Sequence, residues 1–101
     1  MARHSPSFYP EDDVVTIHIP TTLRTYSGGR ETVAVAGGSS LRQVFQRLDA
    51  ECPGIIDRLT LDGDIHPAIA VFVNEEQISL GLIEPVPEDA TIRLLPNVGG
   101  G

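Results

Sequence analysis

The chain has 101 residues and a formal net charge of −7 at neutral pH. A chain of this length forms a single domain around one hydrophobic core. Its excess of acids argues against binding to nucleic acid, which needs clustered cations to displace counterions, and no apolar run approaches the length of a membrane span.

The first residues, 1–13, show no hydrophobic periodicity and lack the apolar core of a signal peptide. We interpret them as a loose N-terminal leader and expect a cytoplasmic protein that binds no membrane. From Val14 onward apolar side chains alternate with polar ones, a period of two that indicates half-buried strands. Two such runs, 14–19 and 32–36, flank a glycine-containing turn at 26–29, so residues 14–36 predict a β-hairpin.

An amphipathic helix is predicted after this hairpin. Its apolar stripe recurs at helical spacing and consists of Leu41, Val44, Phe45, Leu48 and Cys52. Ser40, with Gln43 three residues later, matches a capping box at the start of the helix, and Pro53-Gly54 ends it. Because Cys52 lies on the buried stripe, we predict a small core residue and not a nucleophile. A single cysteine also excludes an internal disulfide bond and fits a reducing cytoplasm.

The second half of the chain predicts three further strands. Residues 68–73 alternate, with Phe72 on the face opposite the larger aliphatic side chains, and a turn leads into a short strand around 77–80. Residues 85–87 contain two prolines and predict a rigid loop, because proline is excluded from central strands. The closing strand is predicted over 90–95, where Pro96 ends regular pairing.

This order of elements predicts an α+β roll, in which a mixed sheet of four to five strands packs on one main helix. The aspartates of Asp62-Gly63-Asp64 predict a turn. They are too few to form a calcium loop, so no metal site is predicted.

The last six residues, 96–101, are predicted to form a flexible Gly-Gly tail, here called the C-terminal tail. Three terminal glycines make poor regular structure, but six extended residues reach ~20 Å and carry no bulky side chain at the end. We hypothesise that the terminal carboxylate of Gly101 is the reactive group. The alternative is a frayed end or a cloning remnant, since disorder concentrates at termini.

Three stretches of this sequence resemble the ubiquitin-like β-grasp sulfur carriers of the ThiS/MoaD group. They are AVFVNEEQI at residues 70–78, the ending LLPNVGGG at residues 94–101, and IPTTLRTYSGGRETV at residues 19–33. The third is similar to the CysO-type branch of cysteine biosynthesis. The resemblance covers roughly residues 14–101 and implies a β-grasp domain at 14–95 followed by the C-terminal tail.

The resemblance implies a protein co-substrate and not an enzyme. In the family, an ubiquitin-activating-type adenylyltransferase uses ATP and Mg²⁺ to adenylate the terminal glycine, and sulfur then displaces AMP to give a thiocarboxylate. In the CysO-type branch a sulfur-using synthase, a cysteine synthase with pyridoxal phosphate, accepts the sulfur, and a metalloprotease releases the product. The carrier itself binds no cofactor.

The working glycine pair is expected to be Gly100 and Gly101. Gly99 departs from the family pattern, in which an alanine or another small residue usually precedes the di-glycine. An alternative is that Gly99 and Gly100 form the pair after Gly101 is clipped. Within the same class, carriers for molybdopterin, thiazole or a thio-containing secondary metabolite remain open, and from another class a non-covalent β-grasp interaction module.

Partner binding is expected to use the outward face of the sheet and the C-terminal tail. By alternation, Phe72, Arg93 and Leu95 point away from the helix, with His18 beside them, and an exposed Phe and Leu rimmed by polar groups indicate a docking patch. A register shift of one residue would instead place Phe72 and Leu95 in the core. The predicted partner contacts on the tail are Pro96, Asn97, Val98 and Gly99.

Overall fold

The computed structural model describes residues 14–37 and 39–97. In chain order its elements are β1 (Val14–His18), β2 (Thr32–Ala36), β3 (Ser39–Ser40), α1 (Leu41–Glu51), α2 (Ile56–Leu59), β4 (Thr60–Leu61), β5 (Asp64–Ile65), β6 (Ile69–Val73), β7 (Glu76–Gln77), β8 (Pro85–Val86) and β9 (Thr91–Pro96). The predictions made for residues 1–13 and 98–101 lie outside the described residues. In the part of the chain that the structure describes, no helix is long and apolar enough to cross a membrane.

Within these described ranges, the main sheet has five strands in the order β2-β1-β9-β6-β7. Strand β1 pairs with β2 in antiparallel fashion, which confirms the predicted hairpin, and with β9 in parallel fashion. Strand β6 pairs with both β9 and β7 in antiparallel fashion. The sheet is therefore mixed, and with α1 packed on it the predicted α+β β-grasp roll is confirmed.

The hydrophobic core lies between α1 and one face of this sheet. The predicted stripe of α1 is fully buried, because side chains at helical spacing share one face. The largest fully buried side chains of the core are Phe45, Ile17, Ile19, Leu41, Leu48, Ile55, Leu59, Ile92, Leu94, Val15, Val44 and Cys52. At the start of α1, the Ser40 hydroxyl accepts a hydrogen bond from the Gln43 backbone N–H at 3.4 Å, as the capping motif predicts.

Strand β9 continues through Pro96, so the prediction that Pro96 ends pairing is wrong. Pro96 lies opposite Ile69 of β6, and the following residue, Asn97, donates its backbone N–H to Ala68 O at 2.8 Å. Successive N–H groups of an antiparallel strand point to opposite sides. A donor at position 96 would therefore face β1, whose register with β9 runs only to Arg93, so proline is tolerated there.

Several short elements are absent from the predictions. Strands β4 and β5 form a hairpin across Asp62 and Gly63, whose φ angles of 55° and 81° suit a two-residue turn of type I′. In the predicted loop at 85–87, β8 pairs with β3. Strand β7, Glu76–Gln77, begins earlier and is shorter than predicted. A two-residue strand has no periodicity, so a sequence pattern cannot reveal it.

Candidate docking site at the root of the C-terminal tail

The root of the tail, Pro96 and Asn97, leaves the main sheet from β9, which lies between β1 and β6. Asn97 is attached by two hydrogen bonds to the segment before β6. Its backbone N–H donates to Ala68 O at 2.8 Å, and its side-chain Nδ2 donates to Pro67 O at 3.2 Å. The point at which the chain leaves the sheet is therefore fixed by Asn97.

The turn that holds Asn97 is itself well connected. His66 Nδ1 accepts a hydrogen bond from the Ala68 backbone N–H at 3.0 Å, and the His66 carbonyl accepts one from Ile69 N–H at 3.0 Å. The backbone N–H of His66 donates to Leu59 O at 2.8 Å, which ties the turn to the end of α2. The acceptors for Asn97 thus belong to a backbone segment anchored on both sides.

The face of the sheet opposite α1 carries the predicted docking patch. Phe72, Arg93 and His18 are neighbours across three adjacent strands in the observed register, and Leu95 lies opposite Ala70. Leu95 is 45% exposed and Arg93 is exposed, whereas Phe72 and His18 are half-buried. These side chains point away from α1, so the alternative register is contradicted. Their role in partner binding stays a prediction.

Two grooves flank the root of the tail, and both are bordered by Leu95 and Pro96. The first has a volume of about 360 Å³ and the second about 220 Å³. The first groove is lined by His18, Ile19, Pro20, Thr21, Thr22, Arg24, Glu31, Arg93, Leu94, Leu95 and Pro96. The second groove is lined by Pro20, Thr22, Leu23, Arg58, His66, Ala68, Ile69, Leu95 and Pro96.

The loop after β1 also contributes to these grooves, which the predicted docking patch does not include. Pro20 and Thr22 border both grooves, and Arg24 lies in the first. The Arg24 side chain is oriented by a hydrogen bond from Nε to Ile19 O at 3.1 Å. No local pattern indicates this, because the parallel pairing of β1 with β9 is what brings the loop beside the tail.

Among the charged side chains that line the two grooves, arginines outnumber acids. Arg24 and Arg93 line the first groove and Arg58 the second. Arg58 Nε donates to the Tyr26 hydroxyl at 2.7 Å, and this hydrogen bond raises the pKa of Arg58. Among the lining residues, all of which belong to the described part of the chain, Glu31 is the only acid.

Cys52 is fully buried, which agrees with its predicted place in the core. Burial raises the pKa of its thiol, although the charge of Arg30, whose Nη2 lies 3.9 Å from Sγ, acts in the opposite direction. A catalytic cysteine needs a lowered pKa and access to solvent. Cys52 has neither property.

The predicted site residues fall into three groups. The structure brings Phe72, Arg93 and Leu95 to one face of the sheet, beside the tail root. Asn97 makes hydrogen bonds within the domain, a role that its predicted use in partner contact did not anticipate. Val98, Gly99, Gly100 and Gly101 lie outside the described residues.

Comparison with known proteins gives a consistent family assignment. The model of the ThiS family matches residues 17–101. The sulfur carrier protein CysO of Mycobacterium tuberculosis is 36% identical over 92 residues, which span 86% of this chain and 98% of that protein.

Two solved structures are similar in both sequence and fold. A chain of the Amycolatopsis orientalis BexX/CysO complex superimposes with a TM-score of 0.77 at 37% identity, covering 86% of this chain and 99% of its own length. The crystal structure of Mycobacterium tuberculosis CysO gives 0.75 at 35% identity, with 83% and 99% covered. Since the family model covers most of the chain and these relatives match over nearly their whole length, the chain belongs to the ThiS family.

Proposed function

We propose that this chain is a sulfur carrier whose Gly101 carboxylate is adenylated and converted to a thiocarboxylate that donates sulfur in cysteine biosynthesis. The observation that carries the proposal is the 36% identity to the sulfur carrier protein CysO over 98% of that protein. The chain acts as a protein co-substrate, because the reacting group is its own C-terminus and the catalysts are its partners. A cytoplasmic location fits its single cysteine.

The chemistry starts from a poor acyl donor. A carboxylate must lose its resonance on attack and has no good leaving group, so it needs activation. The Gly101 carboxylate attacks the α-phosphorus of ATP held with Mg²⁺ by an activating enzyme, and the bond to pyrophosphate breaks. Sulfide then adds to the acyl carbon and AMP leaves with the bonding electron pair. The product is a thiocarboxylate, which holds sulfur in a nucleophilic form.

The fixed tail root supports this role. The hydrogen bonds of Asn97 to Pro67 and Ala68 hold the start of the tail at a defined place on the domain. The four residues beyond Asn97 have an extended length of about 13 Å. A partner can therefore dock on the folded face while the terminal carboxylate reaches a site inside the partner.

We assign three classes of partner to the carrier. The first is a ubiquitin-activating-type adenylyltransferase, and the second is a sulfur-using synthase, for cysteine biosynthesis a pyridoxal phosphate enzyme. The third is a metalloprotease that releases the product. Support for a stable protein complex comes from the related CysO, which was crystallised with BexX. ATP, Mg²⁺ and pyridoxal phosphate belong to these partners.

The proposal is tested by intact-mass measurement. The chain is incubated with ATP, Mg²⁺, sodium sulfide and the adenylyltransferase of the source organism. We expect a mass increase equal to the exchange of one oxygen for sulfur, here called loading. A chain that lacks Gly101 is the matched control and should show no increase, because the activated carboxylate would then be misplaced by one residue.

Two results would contradict the proposal. The first is a wild-type chain that gains no sulfur with any adenylyltransferase of that organism. The second is loading that persists unchanged after deletion of Gly101. Incubation of the loaded chain with the cysteine synthase of the same organism then tests the pathway, since failure to form a cysteine adduct points to a molybdopterin, thiazole or secondary-metabolite acceptor.

A further inference from the structure

The charge of this domain is unevenly distributed. Fourteen acids give the chain its net charge of −7, yet in the described part of the chain Glu31 is the only one of them that lines either groove. Arg24, Arg58 and Arg93, which come from three distant parts of the sequence, converge there. We call these three residues the cationic collar. The tail root thus leaves an acidic protein through a locally cationic surface.

The collar surrounds an apolar centre. Leu95, 45% exposed, and Pro96 border both grooves, so they lie between the arginines of the first groove and Arg58 of the second. Apolar side chains at the centre with arginine around them are typical of protein–protein interfaces, where arginine is enriched. This arrangement favours a macromolecular surface over a small anion.

The short reach of the tail brings the surface of an activating enzyme close to the collar. Residues 98–101 span about 13 Å when fully extended from Asn97. Any enzyme that acts on the Gly101 carboxylate must bring its surface within that distance of the tail root. The residues around the entrance of its active site therefore face Leu95 and the cationic collar.

We propose that the cationic collar docks against a carboxylate-rich rim around the active-site entrance of the activating enzyme. This inference rests on the proposed function, and it adds the chemical character of the partner's surface. Arginine forms bidentate hydrogen bonds with carboxylates. The acidic remainder of the carrier repels such a rim, so the field of the whole protein steers the tail root toward it.

A membrane or a nucleic acid fits this surface less well. Both present anionic charge over an area larger than the collar, and a domain with net charge −7 is repelled by such an extended surface. A protein rim is limited in extent and can match an apolar centre as well as charged edges. The occupant that satisfies both features is an acidic protein surface.

The test compares charge reversals at equal net charge. Arg93→Glu and Arg58→Glu each change one groove, and Arg42→Glu, exposed on α1, is the matched control. Adenylation of the carrier is measured by ATP–pyrophosphate exchange, with the adenylyltransferase of the source organism at low salt. We expect the collar variants to raise KM for the carrier about tenfold or more, with kcat within about twofold, and the control to leave both unchanged.

Salt provides an independent readout. In 1 M sodium chloride the Debye length is ~3 Å, so the difference in KM between the wild-type chain and the collar variants should shrink to about twofold. Arg93→Lys, which keeps the charge, should recover most of the affinity. Thermal unfolding of every variant identifies any loss of fold, and Arg93→Gln serves as the neutral replacement if Arg93→Glu does not fold.

Several outcomes would overturn the inference. Equal KM changes for the collar variants and Arg42→Glu would show that net charge alone matters, and unchanged KM would show that the collar makes no contact. Binding of wild type, but not Arg93→Glu, to phosphatidylserine vesicles would assign the collar to a membrane. Absence of exchange with the wild-type chain would instead contradict the proposed function.

Discussion

Strand β9 presents two faces with opposite properties. On one face Ile92 and Leu94 are 0% and 1% exposed and pack beneath α1, whereas on the other Arg93 and Leu95 face the solvent beside the tail root. The four residues alternate along a single strand, because successive side chains of a strand point to opposite sides. One strand thus supports the core with one face and carries the candidate docking site on the other.

From this contrast we expect that substitutions only one residue apart separate stability from partner recognition. The buried face of β9 stabilises the fold, because its apolar side chains are removed from water. The open face contributes little to folding, and its exposed apolar and cationic groups remain available to a partner.

The largest effect is expected from the pair Leu94→Ala and Leu95→Ala. Leu94→Ala removes fully buried methyl groups and leaves a cavity, so we expect the free energy of unfolding to fall by about 3 kcal/mol. Leu95→Ala should lower it by less than about 1 kcal/mol, since Leu95 lies on the open face of the sheet and is already 45% exposed. Urea denaturation followed by circular dichroism measures both values.

Loading kinetics complete this comparison. At a temperature where both variants are folded, Leu95→Ala should raise KM for the activating enzyme several-fold, because it removes the apolar centre between the grooves. Leu94→Ala should leave KM near the wild-type value. The separation of the two faces is wrong if Leu94→Ala impairs loading of the folded protein more than Leu95→Ala does.

A smaller effect is expected at Asn97. Asn97→Asp keeps the size of the side chain but loses the Nδ2–H donor to Pro67 O, a bond worth about 1 kcal/mol. The backbone amide of Asn97 should then exchange with deuterium about fivefold faster, because the end of β9 opens more often. The amide of Leu94 on the same strand is the internal control and should exchange at its wild-type rate.

This variant also links the tail root to loading. If the hydrogen bond fixes the start of the tail, kcat/KM for loading should fall several-fold in Asn97→Asp, and restoration of the donor in Asn97→Gln should recover part of the loss. Unchanged exchange at the Asn97 amide would contradict the structural role assigned to this side chain.

The smallest effect on stability is expected from the ionisation of the Cys52 thiol as pH changes. Because burial raises the pKa of the thiol, the folded state holds its proton more tightly than the unfolded state. The resulting contribution to stability is present below the unfolded-state pKa and is lost as pH rises through the folded-state value. We therefore expect iodoacetamide to react far more slowly with the native chain than with urea-unfolded chain at pH 8. Equal rates would show that the thiol is accessible.

Much of the fold is predictable from the periodicity of the sequence. The stripe of α1 and the alternation of β1 and β9 are confirmed because a buried face imposes its period over many residues. The outward direction of Arg93 and Leu95 follows from the same alternation. The prediction that Pro96 ends pairing is wrong because a missing N–H matters only where a neighbouring strand would accept its hydrogen bond. At Pro96 that side faces β1, whose register with β9 ends at Arg93, and this register cannot be read from the sequence.

The candidate site was only partly predictable, for a related reason. Its apolar centre follows from local alternation, but Arg24 and Arg58 join Arg93 only through tertiary packing. Neither arginine belongs to an alternating or helical pattern that points to the site, and each is separated from β9 by more than thirty residues. Likewise, the attachment of Asn97 to Pro67 depends on the antiparallel pairing of β6 with β9, so a local pattern does not reveal that the root of the tail is hydrogen-bonded to the domain.

The central place of β9 has a mechanical consequence. Tension applied to the chain beyond Asn97 acts along a strand that is bonded to β1 on one side and to β6 on the other. Such a pull shears two rows of hydrogen bonds together and does not unzip a single row from an edge. Under the proposed function, we therefore expect the domain to stay folded when a partner enzyme draws the end of the chain into its active site.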